Sequence, residues 1–466
     1  MLYHEEMVSK LGLAISRIME RIIPDPFVIA ILLTLLTIVA AFLWGDFGDK
    51  TKFAGIIDSW SDGKTGMWML LGFGMQMCLV LVTGYALATT SQIKKAINYM
   101  ADIPSSTANA AALVGFVACV TGLLNWGLGL IVGALLAREV GLSMQRRQIN
   151  CHYPLVVAAG FMGLLVWHGG LSGSAPLSMT TKDGVAKVIS EQYLGNIDTV
   201  LLSESIGSSM NFIISGGLII LAPLMLFLLA PKESKSITPI DQFNIEHDSI
   251  EEDSSTPKSL PDWLNHSSII SYCIGGLLII ALGRHVMLNG VDRLGLNEIT
   301  MFMLAIGILL HKSPLKYMDA VTKGAKGCAG IIIQFPLYAG IMAIMSASGL
   351  MAELTATFVE ASSQNGAPLS TMVSAGIVNL FVPSGGGQWA IQGPIALESS
   401  MRLGIAPGTM VMAVAYGDQL TNMLQPFWAL PLLAITGVRA RDIVGYTAII
   451  MIVSAIWIAT GLLIFG

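Results

Sequence analysis

The feature that most constrains this chain is a series of apolar runs, most of roughly 17 to 25 residues, some of which break in the middle at glycine, amide or acid residues. About 20 helical residues cross a hydrocarbon layer of about 30 Å, so each such run reads as a transmembrane span. Spans fall at about 24–44, 67–90, 153–177, 210–230, 268–288, 297–311, 328–349, 406–437 and 444–465. The run 108–137 breaks at "GLLNWGLG" (122–129) into two pieces that read as too short to cross alone, and 367–400 breaks at "PSGGGQ" (383–388). With 54% hydrophobic and 12% charged residues, against about a quarter charged in soluble domains, no single globular core could hide these runs. The fold expected is an all-α polytopic membrane protein with about nine full spans and two re-entrant hairpins.

An amphipathic surface helix is expected over 5–22, with Met7, Leu11, Ile15, Ile18 and Ile22 at helical spacing. Glu5, Glu6, Arg17, Glu20 and Arg21 precede the first apolar run, and no small-residue cleavage site follows, so the segment is not read as a signal peptide. The five cysteines lie in or beside apolar runs without CxxC spacing, which points to helix packing. Residues 231–266 are acidic and contain Pro and Ser, and read as a mostly flexible cytoplasmic linker.

Lysine and arginine set the topology. If both hairpins return to the side they enter from and the N-terminus is cytoplasmic, eight basic residues fall outside: Lys50, Lys52, Lys64, Lys182, Lys187, Arg284, Arg293 and Arg402. The other 17 of the 25 fall inside, as the positive-inside rule requires. The same arrangement yields two copies of one order: span, span, hairpin, span, span. The first copy occupies 1–230, a connecting helix lies within 267–290, and the second copy, 296–466, runs in the opposite sense. Gln76 and Gln334, Gly127 and Gly387, and Pro176 and Pro431 echo one another between the copies. Inverted repeats with broken helices are a mark of secondary transporters.

Hydrocarbon tolerates non-helical backbone only where protein or a water-filled cavity surrounds it. Four interruptions therefore locate the expected site: "TGLLNWGLG" (121–129), "WHGGLSGSAP" (167–176), "PSGGGQW" (383–389) and "GDQLTNMLQP" (417–426). Ser384, Gly385, Gly386, Gly387 and Gln388 form a tip whose amides and following half-helix suit a small carboxylate; the plainer reading is that the glycines let the chain turn. Asn125 and Trp126 mark the equivalent tip, with Thr121 nearby. Asp418 is an acid in an apolar segment, and intramembrane acids mark ion or proton routes. Asp418, Thr421 and Asn422, joined by Asn379, offer oxygens to Na⁺, with Asp418 and Asn422 as its ligands; protonation of Asp418 would serve H⁺ instead. His168, Ser172 and Ser174 read as polar lining of the same cavity, the alternative being Ser and Gly packing between helices. "GLSGS" lacks GxSxG spacing and "PSGGGQ" lacks the GK[ST] ending of a P-loop, so neither hydrolase nor ATP-driven chemistry is indicated. No resident cofactor and no nucleic-acid partner is expected.

"FVPSGGGQWAIQGPI" (381–395), "GDQLTNMLQPFWALPLL" (417–433), "HGGLSGSAPL" (168–177) and "RIIPDPFVIAILLT" (21–34) resemble the bacterial short-chain fatty acid transporter family of the acetoacetate-operon type, nearly end to end. The resemblance implies uptake of small monocarboxylates such as acetoacetate or butyrate across the inner membrane, and membership of a wider ion-transporter group with inverted repeats and two re-entrant hairpins. Related architectures are often dimers, so a homodimer is an expectation. The four interruptions contain no Arg or Lys. A carboxylate would thus be held by backbone amides, Ser, Asn and Gln, helped by a cation, which fits a monoanion better than a trianion.

Overall fold

In a computed structural model that describes residues 14, 18, 21, 24–186, 199–231, 233, 236–243, 259–290, 296–360 and 363–466, every regular element among the described residues is helical. The expected amphipathic helix at 5–22 lies almost wholly outside the described residues. Helix α1 (Pro26–Trp44) begins where the Asp25 carboxylate accepts from the Phe27 N–H at 2.9 Å and Pro26 needs no partner for a missing donor. A short α2 (Lys52–Ser61) follows, then the apolar α3 (Leu71–Ala88) and the short α4 (Ser91–Ala101). Next come α5 (Thr107–Leu124) and α6 (Trp126–Arg146), joined by Asn125 alone. An interrupted segment runs from α7 (Tyr153–Gly160) through 3₁₀ turns to α8 (Ser174–Ser178), and after the brief α9 (Lys182–Ala186) the half closes with α10 (Ser209–Leu229).

Beyond α11 (Leu260–His266) and the connecting helix α12 (Ser268–Asn289), the order recurs. The apolar α13 (Leu296–His311), short α14 (Pro314–Ala325), apolar α15 (Ala329–Ala347) and short α16 (Leu350–Glu360) lead to the pair α17 (Ala367–Phe381) and α18 (Gly385–Leu403). The interrupted pair α19 (Pro407–Thr421) and α20 (Pro426–Thr436) and the closing α21 (Ala440–Phe465) complete it. The four short helices escaped the sequence reading. Each runs 10 to 12 residues with one apolar face, too short to register as a span.

One expectation is corrected here. The break in the first hairpin narrows to Asn125, so its arms have 18 and 21 residues, and both are long and apolar enough to cross a bilayer. At 1.5 Å per residue they measure about 27 and about 32 Å. Whether such a pair crosses or re-enters, it returns the chain to the side it came from, so the expected side assignments do not depend on it. Glycine lets these arms and the next segment meet backbone to backbone. A Cβ on Gly129 would sit 2.5 Å from the Gly122 Cα, and one on Gly133 would sit 2.2 Å from the Gly160 carbonyl oxygen. Connecting helix α12 is peripheral, with 11% of its apolar window buried.

The head of the 231–266 segment is docked. Tyr153 N–H donates to the Thr238 carbonyl at 2.9 Å, Thr238 N–H donates to His152 Nδ1 at 3.0 Å, and His152 Nε2 lies 2.7 Å from the Tyr446 hydroxyl. Ile240 fills the space over Gly141. Burial lowers the His152 pKa from its ordinary value near 6.5 to about 4. The clip favours the neutral ring, so its contribution is complete above about pH 6.5 and falls as the pH drops toward 4, because only the released ring takes a proton there. Amide-exchange protection at Thr238 is expected to fall on the order of 20-fold between about pH 7 and about pH 5 beyond the intrinsic pH effect. Constant protection over that range would show that His152 does not hold the segment.

Candidate functional site

The two hairpin turns and the two interrupted segments converge. Asn125 caps α6, its Oδ1 accepting from Gly127 N–H at 2.9 Å and Leu128 N–H at 3.2 Å. The Trp126 N–H, at the same turn, donates to Ser172 Oγ at 3.0 Å, and Leu171 N–H donates to the Leu123 carbonyl at 2.7 Å. Those bonds fasten the first turn to the loop after His168. From the other half, Ser384 caps α18 by accepting from Gly387 N–H at 3.3 Å. Gly385 lies so close to that same loop that a Cβ there would be 2.9 Å from Trp167 Cη2, 3.0 Å from His168 Cε1 and 3.2 Å from Ser174 Oγ.

His168 is 0% exposed and Asp418 2% exposed, and the two face each other with Nδ1 and Oδ1 3.6 Å apart. Nε2 of His168 accepts from Ala175 N–H at 3.2 Å, so in the neutral ring the proton sits on Nδ1, toward Asp418. Gln419 Oε1 accepts from both His168 N–H and Gly169 N–H, at 3.1 and 3.3 Å, and holds the loop against α19. Asp418 Oδ2 has no hydrogen-bond partner. A carboxylate in such surroundings is costly unless a cation or proton joins it.

A second polar group adjoins the first through Asp418. Asn379 Nδ2 lies 2.6 Å from the Asp418 carbonyl, 3.0 Å from Thr421 Oγ1 and 2.9 Å from Asn422 Oδ1, while Gln425 Nε2 donates to the Asn379 carbonyl. Asn379 Oδ1 and Asp418 Oδ2 are both buried without partners. Carbonyl and carboxylate oxygens of this kind suit a hard cation. No cluster of three or more His, Cys, Asp or Glu capable of holding a metal occurs among the described residues.

The structure thus brings together His168, Ser172, Ser174, Asn125, Trp126, Gly385, Asp418, Asn379, Thr421 and Asn422. Gly386 is exposed, with open space where a Cβ would point, and Ser384 is half-buried beside it. Two residues stand differently from the expectation. Gln388 is turned into its own hairpin, donating to the Ala375 carbonyl at 2.8 Å and to Gln392 Oε1 at 2.6 Å. The Thr121 hydroxyl is taken by the Val117 and Ala118 carbonyls of its own helix, at 2.6 and 3.2 Å.

Sequence reasoning passed over several contributors. Asn211, on α10, donates to the Gly169 carbonyl at 2.8 Å and accepts from the Tyr416 hydroxyl at 3.0 Å; its only signal was a buried amide in the first turn of a span. Trp126, Trp167 and Trp428 form a triangle with ring centroids 5.1 to 6.5 Å apart, and Trp167 stacks on His168 at 4.2 Å.

A sequence model of the family described as short chain fatty acid transporter matches residues 7–465. A provisionally named short-chain fatty acid transporter of Escherichia coli (strain K12) is 37% identical over 465 residues, covering 98% of this chain and all of that protein. Its provisionally named counterpart in Haemophilus influenzae (strain ATCC 51907 / DSM 11121 / KW20 / Rd) is 36% identical, with 96% and 98% covered. A crystal structure of the Alcanivorax borkumensis YdaH transporter aligns over 95% of this chain and 97% of its own at 15% identity and a TM-score of 0.42, too loose a superposition to carry an argument.

Proposed function

This chain belongs to the short-chain fatty acid transporter family, and from that premise we propose that it is a secondary carrier moving small monocarboxylates together with a cation by alternating access. The reading places it in the bacterial inner membrane with its N-terminus cytoplasmic and its two halves inverted. The observation that carries it is the meeting of both hairpin turns at His168 and Asp418, where buried oxygens lack partners. A monocarboxylate at the Ser384–Gly386 turn would stand near the Asp418 charge. At an effective dielectric of about 20, two like charges about 6 Å apart repel by about 3 kcal/mol. A cation bound at Asp418 removes that repulsion, so anion and cation bind best together, and that is the physical basis of symport.

Two cations fit the donors. Na⁺ would take oxygens of Asp418, Asn379 and Asn422, and H⁺ would be shared by the His168–Asp418 pair. Reconstitution in liposomes, with labelled acetate, butyrate and acetoacetate under separate Na⁺ and H⁺ gradients, tests both. Saturable uptake that collapses with one gradient is the expected result. Non-saturating flux indifferent to either gradient would make the protein a channel.

A further inference from the structure

A large cavity lies away from the hairpin turns. It has a volume of about 840 Å³ and opens between the start of α1, α3, α6, the α14–α15 junction and the α20–α21 junction. Arg138, Lys323, Lys326, Arg439 and Arg441 line it, and Asp25 is the acid among its lining residues. Arg439 is paired with Asp442 at 2.9 Å, and Arg138 also borders a separate crevice that it shares with Glu139 and Lys94. The lining itself thus carries five cationic side chains and one acidic one. All five are among the 17 basic residues assigned to the inside by the Lys/Arg count. The sequence reading, which sought the cavity only at the four interruptions, found no Arg or Lys there and missed this one.

The cavity's inner end is of another character. Gln334, on α15 and about 12 Å along the helix from Lys326, is 4% exposed and its amide oxygen has no partner. Leu430, opposite, lies two residues from Trp428, whose ring stands edge-on to Trp126 at 5.1 Å. The space therefore runs from a basic rim to a buried amide and an apolar side chain.

We propose that this cavity is an anion vestibule through which the carboxylate passes on the basic side, the rim cations concentrating it and the Gln334 amide N–H donating its first buried hydrogen bond. The proposal rests on the carrier reading and adds the route. A lined cleft of one sign raises the local concentration of an oppositely charged solute, and salt screens the effect. A phosphate headgroup would also find cations at this rim. The buried Gln334 and the apolar Leu430 at the inner end favour a small amphipathic anion with a short hydrocarbon chain.

The test uses Lys323 and Lys326, both exposed, with thermal melts of the double variant as the check on folding. In everted membrane vesicles at about 10 mM salt, the double variant Lys323→Gln, Lys326→Gln is expected to raise the half-saturating butyrate concentration about 3- to 10-fold. At about 300 mM salt the difference should shrink below about 2-fold. In right-side-out vesicles the variant should match the parent. Gln334→Met should raise the same constant at both salt concentrations. Equal effects from both faces, or none at low salt, overturn the vestibule. An effect present in liposomes containing phosphatidylglycerol and absent in pure phosphatidylcholine assigns the rim to lipid headgroups and overturns it too. Absence of saturable butyrate flux in the unaltered protein would instead sink the carrier reading.

Discussion

Asp418→Asn is expected to leave a folded protein that exchanges monocarboxylate across the membrane but does not accumulate it. The substitution keeps the shape of the side chain, exchanges one acceptor oxygen for an N–H donor, and removes the negative charge that draws the cation. With a coupling of about 3 kcal/mol lost, gradient-driven uptake should fall on the order of 100-fold. Exchange of labelled for unlabelled substrate, which needs no gradient, should persist. His168→Gln separates the two cations: under H⁺ coupling it displaces the pH profile of uptake, and under Na⁺ coupling it does not. Normal accumulation by the Asn variant would remove Asp418 from the mechanism.

The second large effect is expected at the α18 turn, where two adjacent glycines should respond in opposite ways. A Cβ at Gly386 meets no atom within 4 Å. Gly386→Val therefore should fold with an unchanged thermal midpoint, yet occupy the space proposed for the carboxylate and weaken half-saturation on the order of 100-fold. Gly385→Ala drives a methyl group against Trp167, His168 and Ser174. It should cost about 1–3 kcal/mol of stability and disturb the ring that faces Asp418, lowering the maximal rate. Thermal melts in detergent, together with uptake kinetics, distinguish the pair. Unaltered affinity in the valine variant would show that the carboxylate binds elsewhere.

Much of this arrangement was legible in the chain. Glycines and amides inside apolar runs are tolerated only beside a cavity, so the four interruptions, Asp418 and His168 could be named without coordinates. Arm length in the first hairpin was not legible, because a single Asn125 between helical stretches looks like the centre of a wide break when glycines flank it. In the structure those glycines are helical and serve close backbone contact. The inward turn of Gln388 was hidden for a related reason: its partners, Ala375 and Gln392, lie 13 and 4 residues away, and only the hairpin's own packing brings all three together. The basic cavity was illegible because its cations come from three separate places, the body of α6, the α14–α15 junction and the start of α21, each of which reads alone as an ordinary charge.

The aromatic triangle has a spectroscopic consequence. Of nine tryptophans in the chain, three cluster at the molecule's centre, and Trp167 lies flat against the His168 ring at an interplanar angle of 15°. An imidazolium in that position withdraws electron density from an excited indole and quenches its emission, whereas a neutral imidazole does so weakly. The protonation of a group with 0% exposure is thereby written into the protein's own fluorescence, and the same stacked pair gives an optical record of the site without a label.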